Sequence, residues 1–258
     1  MANTKSLDLE ADSSQCAIIT DANQTGLDIT GDMTLEGWFK FETDSGTYLL
    51  NKWGVVGDLA YALTYESGGT GLRLRINNGT STTQKIQAWT PSTGTWYHIA
   101  VTYDASEGEC KFYVNGSQLG STQTGLHTSI NNNQEPFVIG ANYNGGTVYT
   151  PHDGKVDEVR VWNIVRTVTE INNNKSKQLA GTESGLVANW RFNDTPNDET
   201  SNDNDLTLIN TPSYSIDVPF VGASGPANLK SINGLAKASI KSRNSLAIGS
   251  IKSINGLS

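Results

Sequence analysis

Hydrolysis of a glycosidic bond needs two carboxylates facing one sugar ring, about 5–5.5 Å apart where a covalent intermediate forms. The closest acidic sets in this chain are Asp8-Leu9-Glu10 and Asp157-Glu158. On an extended strand the adjacent side chains of Asp157 and Glu158 point to opposite faces and cannot converge on one ring. The three histidines, His98, His127 and His152, lack metal-ligand spacing. His98 lies in an apolar run and reads as a hydrogen-bonded core residue, whereas the other two read as loop residues. A serine nucleophile elbow, a phosphate-binding glycine loop and a dinucleotide fingerprint are absent, and Gly68-Gly69-Thr70-Gly71 reads as a turn. Cys16 and Cys110 are too few for a disulfide framework or a four-cysteine zinc site. They read as two half-buried thiols, with one bridge between them as the alternative. No catalytic constellation assembles, so the expectation is a chain that is not an enzyme.

Binding chemistry is better represented. The stretch from Asn142 to Asp153, NYNGGTVYTPHD, carries Tyr143 and Tyr149, whose rings can stack on the apolar face of a sugar. Asn142, Asn144, His152 and Asp153 add donors and acceptors. These residue types are equally at home in an ordinary turn.

Such a loop has to be carried by strands. Of 258 residues 36% are apolar and 17% charged, enough for one large core or two modest ones. Short runs of β-branched and aromatic residues, broken by Gly, Asn, Asp and Thr, predict strands over Met33 to Phe41, Ala60 to Tyr65, Leu72 to Asn77, Trp96 to Tyr103 and Cys110 to Val114. Further strands are predicted over Pro136 to Gly140, Val156 to Trp162, Leu186 to Phe192 and Leu206 to Ile209. Asn115-Gly116 suits a two-residue hairpin between FYV and QLG. One helix is predicted after Trp162, where Thr167-Val168-Thr169-Glu170 has capping-box spacing. The pattern is all-β, a two-sheet antiparallel sandwich with one short helix. Alternation places Glu36 and Trp38 on one face of their strand and Leu35, Gly37 and Phe39 on the other; Glu158, Arg160 and Trp162 likewise share a face. An ion pair between Glu36 and Arg160 beside the two tryptophans follows, with two unrelated solvated charges as the alternative.

The net charge of -8 is unevenly spread. From Ala223 onward there are five basic residues (Lys230, Lys237, Lys241, Arg243, Lys252) and no acidic one, which leaves 13 basic against 26 acidic residues before it. An acidic body repels phosphates and argues against a nucleic-acid partner. There is no run of 18 apolar residues, so no membrane span is expected, and Met1 to Asp8 lacks the apolar block of a secretion signal. The composition shift divides the chain into a body over 1-222 and a tail over 223-258.

In the tail, KSINGLA at 230–236 recurs as KSRNSLA at 241–247 and KSINGLS at 252–258, a period of 11 residues. Asn-Gly, Asn-Ser and serine in every unit favour turn-linked short strands over helix. Three units bury too little apolar surface to stand alone, so Leu229, Ile232, Leu235, Ile240, Leu246, Ile251, Ile254 and Leu257 are candidate assembly residues. A flexible tail is the alternative.

The body resembles the laminin-G-like, pentraxin-related branch of the concanavalin A-like lectin/glucanase superfamily. The resemblance rests on Ser6-Leu7-Asp8-Leu9, GDMTLEGWFK at 31–40, TWYHIAVTYD at 95–104, FYVNG at 112–116, FVIG at 137–140, GKVDEVRVWN at 154–163 and GLVANWRF at 185–192, in that order. It implies a jelly-roll sandwich of about a dozen strands that binds through rim loops or its concave sheet. Glycoside hydrolases of the superfamily carry a Glu-x-Asp-x-x-Glu strand, which is absent here, and Asp8-Leu9-Glu10 lacks the third member. Many relatives bind calcium through loop carboxylates and carbonyls. At the matching positions this chain has Ala141-Asn142-Tyr143-Asn144-Gly145-Gly146 and Pro91-Ser92-Thr93-Gly94-Thr95, without acids. Calcium is thus left with two weak candidates, Asp8 and Asp157, provided the first and late strands meet; a structural hydrogen-bonding role is the alternative for both.

The tail repeats resemble the C-terminal segments of phage structural proteins. Together the two resemblances imply a non-catalytic virion-type surface protein, a lectin-like jelly roll with a possible glycan partner, anchored or oligomerised by its tail. A subunit of an extracellular fibre or cell-surface array, or a carbohydrate-binding adhesin, is the alternative expectation.

Overall fold

Alternating apolar and polar residues fold into two antiparallel sheets packed face to face. The computed structural model describes residues 2–54 and 58–221, together with the backbone of 231–232 and 235–236. In chain order the strands of the body are β1 (Ser6–Leu9), β2 (Cys16–Ile19), β3 (Met33–Phe41), β4 (Thr47–Trp53), β5 (Leu59–Glu66), β6 (Gly71–Asn77), β7 (Thr82–Gln87), β8 (Trp96–Asp104) and β9 (Glu109–Val114). They continue with β10 (Ser117–Thr124), β11 (Phe137–Ile139), β12 (Asn142–Asn144), β13 (Thr147–Tyr149), β14 (Gly154–Trp162), β15 (Leu186–Trp190), β16 (Thr207–Ile209) and β17 (Ser213–Ser215), and the helix α1 (Val168–Asn174) follows β14. The first sheet runs β10-β9-β8-β3-β14-β1-β17, with β15 also on β14; the second runs β16-β2-β11-β4-β5-β6-β7. β12 and β13 form a separate hairpin.

The inward residues of both sheets make one core. Leu35, Phe39, Phe41, Ile99, Val101, Val156 and Val161 from the first sheet meet Leu50, Leu63, Leu72, Leu74 and Ile139 from the second. Phe137 and Trp190 stack across the layer with centroids 5.4 Å apart. All nine strands predicted from sequence are present, and Asn115-Gly116 turns the chain so that Ser117 pairs with Val114. The strands beyond the expected dozen or so are short or polar. β7 reads TTQKIQ because it is an edge strand with little to bury, and β4 conceals its pattern with Lys52, whose ammonium is buried against Asp21 (2.6 Å) and Asp28 (2.7 Å).

The cysteines correct one expectation. Both are fully buried and free, Cys16 in the second sheet and Cys110 in the first, so neither half-burial nor a bridge describes them. Burial pushes both thiols up to about 12. In the tail, Ser231–Ile232 (β18) pairs antiparallel with Leu235–Ala236 (β19); the Asn233-Gly234 pair expected to turn between them lies outside the described residues. The other candidate assembly residues (Leu229, Ile240, Leu246, Ile251, Ile254 and Leu257) and the boundary at Gly222 lie outside the described residues.

One glycine fixes the start of β14. Gly154 has φ +143°, and a Cβ there would sit 1.9 Å from the Lys40 carbonyl oxygen of the neighbouring strand. Gly154→Ala should therefore lower stability by about 3 kcal/mol. Gly145→Ala at the β12–β13 tip, at φ +55° but with nothing within 4 Å of a Cβ, should cost only the left-handed strain of about 1–2 kcal/mol; urea unfolding midpoints of the two variants make the comparison.

Candidate ligand-binding site

The outer face of the first sheet is covered by α1 around β3, β8 and β14. α1 starts on a complete capping box, with Thr167 Oγ1 accepting from the Glu170 N–H and the Glu170 carboxylate accepting from the Thr167 N–H at 2.8 Å. Its Ile171 packs on Ala100 and Tyr113 of that face. Carbonyls at and just beyond its C-terminus, where the helix supplies no partner, are met by the sheet: Trp38 Nε1 donates to Lys175 O at 2.6 Å, and Arg160 donates to the carbonyls of Asn174 and, in the segment that follows, Lys177.

Beneath the helix lie the acidic residues that could have been catalytic. Arg160 contacts Glu158 at 3.0 Å and Glu36 at 3.7 Å, and Trp162 Nε1 donates to Glu36 at 2.9 Å. The expected Glu36–Arg160 pair is present beside both tryptophans, though Glu158 is the closer partner. Asp157 and Glu158 do not point to opposite faces. A bulge sets Glu158 and Val159 opposite the single residue Gly37, with Glu158 at φ +48°. Asp157 stays in register with Trp38 while Glu158 reaches Arg160, so both carboxyls are on the outer side of the sheet. A Cβ on Gly37 would stand 3.0 Å from Val159 Cγ2, which is why a glycine faces the bulge.

Burial alone would raise the Glu36 carboxyl, but the His98 ring, the Arg160 guanidinium and the Trp162 N–H outweigh it and hold it at about 2. Asp157 goes the other way: burial and the neighbouring Glu158 push it well above the carboxylate range, although Asn3 Nδ2 donates to it at 2.7 Å. His98 is wholly buried with Nε2 3.4 Å from Glu36, and burial lowers its pKa. None of Glu36, His98, Asp157, Glu158 and Arg160 is more than 1% exposed. Through Arg160 the set holds the end of the helix to the sheet, and its burial closes it to a substrate.

The two weak calcium candidates are also engaged. β1 and β14 pair directly, Asp8 opposite Lys155, which it meets at 2.9 Å, and Asp157 is held by Asn3. Among the described residues no three His, Cys, Asp or Glu side chains converge as a metal cluster.

The residues of the 142–153 stretch are dispersed. Asn142–Asn144 and Thr147–Tyr149 form the β12–β13 hairpin, and Tyr143 and Val148 cover Cys16, Ile18, Val138 and Ala141 on the outer face of the second sheet. Tyr149 is 53% exposed. His152 is not a loop donor: it is buried edge-on to Phe39 and Phe41, with Nε2 3.2 Å from the Lys40 carbonyl, and burial drives it down to about 4, so it stays neutral. The Asp153 carboxylate accepts from the Ala11 N–H at 3.3 Å.

Beside this hairpin the outer face of the second sheet stays open. The cross-strand row Tyr48–Thr64–Arg73 lies next to the row Asn51–Ala62–Arg75. A cleft of about 280 Å³ is lined by Gly46, Thr47, Tyr48, Thr64, Tyr65, Glu66, Arg75 and Thr150. Thr150 follows Tyr149 directly and Thr47 Oγ1 donates to its carbonyl at 3.2 Å, so the hairpin and the cleft share a wall. The Arg75 guanidinium lies 5.5 Å from the Tyr48 ring centre and 5.9 Å from that of Trp53. The sequence reading missed these residues. A signal existed in LRLRIN, where Arg73 and Arg75 alternate with core leucines and must share the outer face.

Two sheets of this topology, with the helix over one outer face, agree with the sequence comparison: the Laminin_G_3 profile of the concanavalin A-like lectin/glucanases superfamily matches residues 12–172. The chain belongs to this superfamily. Among solved structures, a carbohydrate-binding candidate from Bacteroides ovatus superposes with a TM-score of 0.65 at 20% identity, over 86% of this chain and 62% of that one. The chain thus spans less than two thirds of that protein's length. The heptameric SAP-like pentraxin of Limulus polyphemus gives a TM-score of 0.57 at 14% identity, covering 83% of this chain and 91% of the pentraxin. The CBM40 of a Ruminococcus gnavus IT-sialidase, bound to α2,6 sialyllactose, gives 0.52 at 13% identity, covering 68% and 98%. At these identities the likeness is one of fold. No curated protein sequence matches the chain.

The opposed carboxyls make a pH prediction. Glu36, lowered in the fold, contributes stability above its unfolded value near 4.5 that is lost as pH falls towards about 2. Asp157, raised in the fold, works against stability as pH rises through its folded value. Glu36→Gln should therefore cost about 3 kcal/mol at pH 7 and much less at pH 3, while Asp157→Asn should leave stability at pH 7 equal or higher. Urea unfolding at the two pH values would show both.

Proposed function

We propose that this protein is a non-catalytic, lectin-like surface protein of a phage or phage-like particle, with a glycan-contacting sandwich over residues 1-222 and an anchoring or assembly tail over 223-258. The observation that carries the reading is the contrast between the two outer faces. The convergent acids of the first sheet, Glu36, Asp157 and Glu158, are wholly buried, whereas the second sheet presents a cleft with Tyr48, hydroxyls and charged hydrogen-bonding groups. A half-open polar cleft with an aromatic wall suits a sugar, which offers hydroxyls on its edge and an apolar face. Structures of the same fold named for carbohydrate binding, or solved with sialyllactose, support a glycan as the partner.

The particle role rests on the tail. Three units of an 11-residue repeat, basic where the body is acidic, suit short strands that add to neighbouring copies or to another particle subunit. Opposite charge would help register and would be screened by salt. Synthesis in a host cell and release by lysis would place such a protein on a virion surface. Light scattering on the full chain and on a chain ending at Gly222, at low and high salt, tests it. The full chain should form trimers or larger assemblies that loosen with salt while the truncated chain is monomeric; two monomers would overturn the assembly role of the tail.

A further inference from the structure

Glu66 lines the open cleft, and its two oxygens are in different situations. Oε1 accepts from Thr64 Oγ1 at 2.9 Å and faces Arg73 at 3.2 Å and Arg75 at 3.4 Å. Among the described residues no donor reaches Oε2, and the side chain is 29% exposed. Three partners on one oxygen fix the carboxylate in place. The other oxygen, able to accept two hydrogen bonds, is left for a ligand on a residue that lines the cleft, with little ordering left to do on binding. Tyr48 complements it. Its hydroxyl oxygen accepts from Arg75 at 3.0 Å, which leaves the phenolic hydrogen free to donate into the cleft. Thr64 donates to Glu66, and Thr150 lines the same cleft.

We infer that this cleft is a binding site for a neutral, hydroxyl-rich sugar, with Glu66 Oε2 accepting from adjacent hydroxyls and Tyr48 donating to a third oxygen. The inference rests on the lectin-like reading of this cleft and adds the contacting atoms and the class of sugar. Adjacent hydroxyls are the ligand group that can offer two protons to one carboxylate oxygen while keeping an oxygen for the phenol. An acidic sugar is disfavoured at this oxygen: Arg73 and Arg75 both face Oε1, so a ligand carboxylate seated on Oε2 would meet a carboxylate with no proton to share between them. Selectivity of this kind arises from a repulsive element as much as from an attractive one.

The test is calorimetric titration of the full chain with lactose, mannotriose and cellotetraose as neutral probes and with α2,6 sialyllactose and tri-galacturonate as acidic ones. At least one neutral probe should bind, and the acidic probes should bind at least tenfold more weakly. Glu66→Gln should weaken the neutral probe tenfold or more. Because that change also loosens Arg73 and Arg75, Tyr48→Phe is the second variant; it keeps the ring, removes the donor and should cost about fivefold, with the urea midpoint of each variant as a check on folding. A neutral sugar whose affinity survives both substitutions within twofold would overturn this site and leave the lectin-like reading standing. Equal affinity for acidic probes would overturn the selectivity. Binding to none of the probes would count against the site and the lectin-like reading together.

Discussion

Arg160 is the point on which the first sheet and its helix depend. A buried guanidinium costs several kcal/mol in lost hydration unless its donors are met, and here they are met from three elements. Glu36 comes from β3, Glu158 from the bulge in β14, and the carbonyls of Asn174 and Lys177 from the end of α1 and the segment just after it. Only its Nε lacks a partner. A helix of seven residues is too short to persist on its own, so α1 exists because its first turn is capped, its Ile171 is buried and its last carbonyls are bonded to the sheet. The bulge belongs to the same arrangement. Holding Glu158 at positive φ costs on the order of 1–3 kcal/mol, and it is what turns this carboxylate towards Arg160 and away from the core.

This arrangement decides where function can lie. By spending its convergent acids on a structural node, the first sheet gives up a solvent-facing surface. The second sheet is covered at one end by the β12–β13 hairpin, which shields Ile18, Val138 and Ala141, and is left open over β4, β5 and β6. The same distinction separates Glu36 and Glu66. Glu36 is wholly buried, with Trp162 donating to it and Arg160 and His98 beside it, and has a depressed pKa; Glu66 is anchored through one oxygen and keeps the other for solvent. An exchange of partners between the two would make one an unpaired buried charge and the other a plain surface ion pair.

Much of the frame was legible in the residues. Met33 to Phe41 alternates cleanly, the Asn115-Gly116 turn leaves one register for its hairpin, and Thr167 with Glu170 marks the helix start. Glu36 and Arg160 could be placed together because period-two alternation puts them on matching faces of strands rich in core residues. The candidate site was harder to read. The 142–153 stretch drew attention by composition, yet composition does not separate a tyrosine that shields a sheet, such as Tyr143, from one that faces water, such as Tyr149. The cleft residues come from three strands that are separated by turns and, in β4, disguised by a buried lysine.

What the sequence by itself determined is the local geometry: which residues alternate, where the chain turns, where a helix begins, and which strands carry a core. These follow from backbone sterics and side-chain period, which act within a few residues. What only the tertiary structure decided is the environment of each polar group. Asp157 and Glu158 share a face because a bulge opposite Gly37 slips the register by one residue. His152 is neutral because Phe39 and Phe41 close over it, and Glu66 is open on one side because Thr64, Arg73 and Arg75 happen to crowd the other. Burial and charge pairing depend on neighbours that are distant in the chain, and for those only the packed sandwich specifies the partners.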